Sequence, residues 1–118
     1  MSQENKVMGN KTMKVAIPTD DGLIIGEQCR CSRAFLVATV KSGKIVHKEL
    51  RWNLLSEILT SEDGLFYNLC DCDVVIVDQI SEAHSENLKS KKKKIIRTDE
   101  TNVGKAFINF LNSTNSLV

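Results

Sequence analysis

The sequence predicts an α/β fold, a three-layer α/β/α arrangement around a mixed five-stranded sheet of order 3-2-1-4-5. Three observations carry this expectation. Strand-like runs at Met13–Pro18, Ala34–Val40 and Ile45–Leu50 follow one another with no helical pattern between them, so they should form an antiparallel meander. Later apolar runs at Asp73–Val77 and Ile95-Ile96 alternate with helix-spaced segments, as parallel strands with crossover connections do. Joining the two halves puts the first strand at the centre. Connections then diverge between strands 1 and 4, and ligands favour the crevice beyond the strand ends at such a switch point.

Each element has a local reason. In the first run Val15 and Ile17 alternate with Lys14 and Ala16, and Pro18 closes it because proline cannot donate to a ladder. A long loop follows from Thr19 to about Ser32, with Gly22, Gly26 and a Cys pair; loops of this length are often functional. Its middle, Leu23–Ile25, can form a short extended piece. Ser42-Gly43 between the next two runs is a two-residue hairpin signal. From Asn53 to Cys70, Leu54, Leu55, Ile58 and Leu59, then Leu65, Phe66, Leu69 and Cys70, recur at helical spacing around Ser61–Gly64. This predicts one broken helix or two short ones. Asp73–Val77 reads as a strand buried on both faces.

Ser81 opens a helix to about Ser90, with Ile80, Ala83, Asn87 and Leu88 as its inner face. Thr101–Leu111 carries Val103, Ala106, Phe107, Phe110 and Leu111 as an apolar stripe, with Thr98 or Asp99 as cap. The predicted core is Val15, Ile17, Phe35, Val37, Val75, Val77, Ile96, Phe107 and Phe110. Residues 1–12 read as a flexible extension, 13–112 as a single domain and 113–118 as a frayed tail.

Composition bounds the function classes. Of 118 residues, 42% are hydrophobic and 26% charged, which sets aside disorder and fibres. Lys and Arg number 16 against 15 Asp and Glu, so the basic surplus of a nucleic-acid-binding domain is absent. No apolar run approaches the roughly 20 residues that span a bilayer, and the first twelve residues lack the apolar middle of a signal peptide. A cytoplasmic protein with neither nucleic-acid nor membrane partners is expected. In a reducing compartment Cys29, Cys31, Cys70 and Cys72 are thiols, metal ligands or redox groups rather than a disulfide framework.

The predicted crevice gathers Asp20, Asp21, Cys29, Cys31, Asp78 and His84 from separate loops. Cys29-Arg30-Cys31 offers two soft thiolates suited to iron, zinc, copper(I) or a metal–sulfur cluster, and Arg30 would favour the thiolate form. The alternative is two incidental small residues in a loop. Cys70 and Cys72 read as core, since one continues an apolar stripe and the other enters a buried strand. His84 can serve as a ligand or general base, or simply as a partly exposed helix residue. Asp20 with Asp78 could hold Mg²⁺ for phosphoryl chemistry, although Asp is also common after strands as a turn residue. No phosphate-cradling glycine motif is present. The run Lys89–Lys94 reads as a solvated helix end, with a local anionic partner as the alternative.

The segments MKVAIPTDDGLI, AFLVATVKSGKIVHKEL, DCDVVIVDQIS and TNVGKAFINFL succeed one another at a spacing that resembles the dinitrogenase iron–molybdenum cofactor biosynthesis family. The resemblance covers Met13 to Leu111. It implies a ribonuclease-H-like α/β fold and non-catalytic binding of an iron–molybdenum cofactor, its iron–sulfur precursor or a related metal–sulfur cluster. It also implies a cluster-donor or cluster-acceptor protein as partner. Where that family has a His-Phe-Gly-Arg loop before the second strand, this chain has Gln28-Cys29-Arg30-Cys31, so the His becomes Gln28 and the Gly becomes Arg30. The family's glycine-rich stretch before and after strand 4 is reduced to Ser81-Glu82-Ala83-His84. Gln28, Cys29, Arg30, Cys31 and His84 are thus the expected cofactor-binding residues, with Cys29 and Cys31 as the metal ligands. Two other functions stay open: an interaction or regulatory module on the same fold without a cluster, and a metal-dependent phosphotransfer enzyme using Asp20 and Asp78.

Overall fold

The structure is a computed structural model that describes residues 12–27, 32–53 and 69–115. The strands are β1 (Thr12–Thr19), β2 (Ala34–Lys41), β3 (Lys44–Trp52), β4 (Val74–Val77) and β5 (Lys94–Arg97). Two helices are described, α1 (Glu82–Ser90) and α2 (Val103–Asn115). The sheet order is β3-β2-β1-β4-β5. β1–β2 and β2–β3 are antiparallel, and β1–β4 and β4–β5 are parallel. The predicted architecture is therefore the observed one, with β1 central. The expected helical stretch between Asn53 and Cys70 falls, over 54–68, outside the described residues, as do residues 1–11 and 116–118.

The hairpin shows why its signal was strong. Ser42 and Gly43 both have positive φ, 55° and 79°, the pair of left-handed residues whose twist matches two antiparallel strands. β1 runs one residue beyond Pro18, against expectation. Its ladder to β4 stops at Ala16, so the missing proline N–H falls where that side no longer needs a donor. The Pro18 carbonyl instead accepts the Gly26 N–H at 2.8 Å.

Strand alternation divides the core into two. One face carries Ala16, Phe35, Val37, Val75 and Val77, packed with Leu69, Cys72, Ile80 and Leu88 from the α1 side. The other carries Val15, Ile17, Ala38, Val40, Val74 and Ile76 beneath Val103, Ala106 and Phe107 of α2. This two-face burial makes β4 an unbroken apolar run. Ile96 and Phe110 are half-buried rather than buried. Both line a cavity of about 220 Å³ between β4–β5 and α2.

Both helices depart from the sequence reading in detail. The inner face of α1 is His84, Ser85 and Leu88, and Ala83 is exposed. α2 is capped by Asn102, whose Oδ1 accepts the Lys105 N–H at 2.9 Å, not by Thr98 or Asp99, and it runs to Asn115 rather than Leu111. Thr98 Oγ1 accepts the Glu100 N–H instead, at 3.1 Å, shaping the turn ahead of the helix. Among the described residues no helix is long and apolar enough to cross a membrane.

Candidate functional site

The C-terminal ends of β1, β4 and β5 lead into segments that backbone bonds tie together. Ile25 N–H donates to the Thr101 carbonyl at 2.8 Å, and Val103 N–H to that of Leu23 at 2.9 Å. Gln79 N–H reaches the Glu27 carbonyl at 3.2 Å. Leu23–Ile25 is extended as expected: Ile25 bridges Thr19 and Ile24 bridges Asn102. The convergence inferred from topology is therefore real for Asp20–Glu27, Asp78–Ile80 and Thr98–Asn102.

Polar side chains hold this loop in shape. Thr19 Oγ1, fully buried, donates to the Ile24 carbonyl at 2.6 Å and accepts the Gly22 N–H at 2.9 Å. Asp21 Oδ1 accepts the N–H groups of Leu23 and Ile24 at 2.8 and 2.9 Å. Those two bonds lower the Asp21 pKa, the Ile24 bond most. Gly22 takes φ +84° at the turn, where a side chain would be strained. Asp20 Oδ1 accepts the Arg33 N–H at 2.8 Å, tying the exit of β1 to the start of β2. Asp20 thus has a structural task, and Asp78 is exposed at the end of β4. Among the described residues no three His, Cys, Asp or Glu side chains come together to hold a metal ion.

Gln28, Cys29, Arg30 and Cys31 lie outside the described residues, but both flanks are placed. Gly26 lies so close to Ser32 that a Cβ on it would stand 2.0 Å from the Ser32 hydroxyl oxygen. The Ser32 carbonyl accepts from Asn53 Nδ2 at 3.0 Å, and Asn53 N–H donates to the Arg33 carbonyl at 2.7 Å. Glu27 and Ser32 are therefore both anchored at this edge.

His84 is buried, correcting the expectation of partial exposure. It lies in the first turn of α1, where the Ser81 hydroxyl caps the helix by accepting the His84 N–H at 3.2 Å. Ser81 Oγ also hydrogen-bonds His84 Nδ1. The other ring nitrogen, Nε2, is buried with no hydrogen-bond partner among the described residues, as is Asn87 Oδ1 one turn on. A buried polar atom left unpaired is costly, which marks His84 Nε2 as a candidate ligand atom. The Ser-x-x-His spacing was a legible cap signal; the burial of the ring was not.

The second Cys pair divides. Cys72 is core as expected, and burial pushes its thiol up to about 12, with the Asp71 carboxylate adding to the effect. It is no thiolate at neutral pH. Cys70, expected in the core, is exposed; its segment forms a turn at 69–71 rather than continuing a helix. Sequence reasoning also missed an ion cluster beside it. Arg51 grips Asp71 with two bonds of 2.6 and 2.8 Å and also contacts Glu49. Lys14 Nζ reaches Asp71 at 3.1 Å. Residues from β1, β3 and the β4 approach meet there, and no sequence proximity could announce that.

Comparison with known proteins places the fold. No family model matches the sequence, and no curated protein matches it. Solved structures do. A Methanococcus jannaschii protein described as a candidate dinitrogenase is 25% identical, with 91% of this chain and 92% of that one covered and a TM-score of 0.63. The apo form of the orange protein from Desulfovibrio gigas is 16% identical over 88% and 91%, with a TM-score of 0.72. The protein PH0822 is 16% identical over 86% and 92%, with a TM-score of 0.74. The chain shares their fold.

Proposed function

We propose that this chain is a non-catalytic binding or carrier domain of the dinitrogenase iron–molybdenum cofactor type, working in the cytoplasm. Its cargo would be an iron–molybdenum cofactor, its iron–sulfur precursor or a related metal–sulfur cluster. The observation that supports the reading is the anchoring of Glu27 and Ser32 at the edge where this topology favours ligands; Cys29 and Cys31 stand between them in the sequence. The donor set fits the cargo: two soft thiolates, a cation between them in sequence in Arg30 to offset their charge, and His84 Nε2, which has no hydrogen-bond partner among the described residues. Gln28 adds a neutral hydrogen-bonding group. Two neighbours of the fold lend support, one described as a candidate dinitrogenase and one as an apo form. A cluster-donor or cluster-acceptor protein would be the partner.

The test is anaerobic reconstitution with iron, sulfide and molybdate, followed by absorbance and metal analysis. Cys29→Ser with Cys31→Ser should abolish uptake and leave the fold intact. Equal uptake by that double variant would remove the ligand assignment. Phosphatase and nuclease activity with Mg²⁺ or Mn²⁺ should be absent; turnover abolished by Asp20→Asn would restore the phosphotransfer reading.

One observation favours a second reading, an interaction module without a cluster. The same edge carries Asp20, Asp21, Glu27, Asp78, Asp99 and Glu100, against Arg33, Arg97 and Lys105 among the described residues. That balance would repel an anionic cluster. No uptake by the unmutated protein would select this reading.

A further inference from the structure

At the opposite end of the parallel strands, α1 ends in a run of lysines. Lys89 and Lys91–Lys94 place five lysines within six residues with no acid among them. Of the chain's 16 basic and 15 acidic residues, the rest of the sequence then holds 11 basic against 15 acidic. The molecule is net acidic apart from this one arch.

The arch is a fixed structure. Lys92 N–H donates to the Lys89 carbonyl at 2.9 Å, and Lys93 N–H to that of Leu88 at 3.0 Å, the two bonds that close a helix in a Schellman turn. Lys94 N–H donates to the Asp73 carbonyl at 3.0 Å, and Lys93 Nζ to the Cys70 carbonyl at 2.7 Å. Lys92 has φ 66°. That left-handed position is normally given to glycine, because a side chain there is strained. Lys89, Lys92 and Lys94 are exposed and form no ion pair among the described residues. The carboxylates of the adjoining turn are engaged elsewhere, Asp71 by Arg51 and Lys14, and Asp73 by the Lys14 N–H.

Local stability does not account for this arrangement. The helix dipole is answered by cations in the last turn, which Lys89 and Lys91 already supply. The other lysines add mutual repulsion, and Lys92 adds backbone strain. We propose that the arch is a docking surface for an acidic segment of a partner protein, whether or not the opposite edge carries a cluster. A nucleic acid fits less well. The arch holds no aromatic residue for stacking, and a long polyanion would run on over the acidic remainder of the molecule. A membrane surface fits less well too, since the exposed large apolar residues, among them Leu23, Val46, Trp52 and Ile108, all lie outside the arch. A compact acidic segment meets the lysines alone.

The experiment uses the full chain and a fluorescein-labelled ten-residue glutamate peptide, read by anisotropy at low salt, about 50 mM. The peptide should bind and be released as salt rises. Lys89→Gln with Lys92→Gln and Lys94→Gln should weaken binding about tenfold, as three exposed ion pairs would. The charge-matched control, Lys44→Gln with Lys48→Gln and Lys105→Gln, should leave it unchanged. Lys92→Gly should raise the melting temperature by a few degrees, about the relief of one strained residue, while weakening binding. The proposal is overturned if the unmutated protein does not bind the peptide, or if both triple variants lose binding equally. Tighter, arch-dependent binding of duplex DNA or of phosphatidylserine vesicles would also overturn it.

Discussion

Gly26→Ala probes how the candidate ligand loop is anchored. An added Cβ would stand 2.0 Å from Ser32 Oγ, 3.1 Å from Ser32 Cβ and 3.6 Å from the Pro18 carbonyl carbon. Neither side can give way freely. Gly26 is held by its N–H bond to the Pro18 carbonyl, and Ser32 is 3% exposed with its carbonyl bonded to Asn53. Overpacking of such a site costs about 1–3 kcal/mol, and two contacts this short place the expected loss near 2 kcal/mol. At about 4 °C per kcal/mol for a domain of this size, the melting temperature should fall by roughly 8 °C. Ser32→Gly in the same chain removes both close contacts, so the double variant should recover most of the loss. Urea unfolding of the four proteins of the cycle gives the coupling. A loss for Gly26→Ala below about 0.5 kcal/mol, or a double variant no better than the single one, would refute the account. If the anchoring also serves the cluster, uptake by Gly26→Ala should fall under conditions where the protein remains folded.

Three further outcomes follow from the structure. Phe107→Ala, which empties a side chain buried between α2 and the sheet, should cost about 3–5 kcal/mol in urea unfolding; a loss under about 1 kcal/mol would mean that α2 packs loosely. Arg51, aided by Lys14, holds the Asp71 carboxyl well below the ordinary value of 3.8. The stability from that pairing is therefore complete above about pH 4 and is lost as pH falls toward the lowered folded value. With the Asp71 side chain 42% exposed, this amounts to about 1 kcal/mol or less. Asp71→Asn should flatten the acid limb of the stability curve, and an unchanged limb would show that other carboxylates govern it. In a background of Cys29→Ser with Cys31→Ser, maleimide should label one thiol of the native protein, Cys70, and a second, Cys72, only in urea; rapid labelling of both in the native state would contradict the burial of Cys72.

The order of the sheet was legible in the sequence because it rests on local patterns. Alternation in β1, the Ser42-Gly43 turn, and an apolar run long enough for a strand but too short for a helix in β4 each depend on residues a few positions apart. Simple rules of strand connection then assemble them. The convergence of the loops after β1, β4 and β5 followed from the same topology. What the sequence could not state was which side chains those loops spend on themselves. Asp20 looked like half of a metal site, yet its carboxylate is used by the Arg33 N–H, a bond between residues brought together only by folding. His84 read as partly exposed because α1 is weakly amphipathic, and only the tertiary fold buries it. Cys70 and Cys72 read alike in sequence, but a turn between them sent one outward and one into the core. The grip of Arg51 on Asp71 spans twenty residues. Such choices depend on distances across the sheet, and those exist only once the strands have paired.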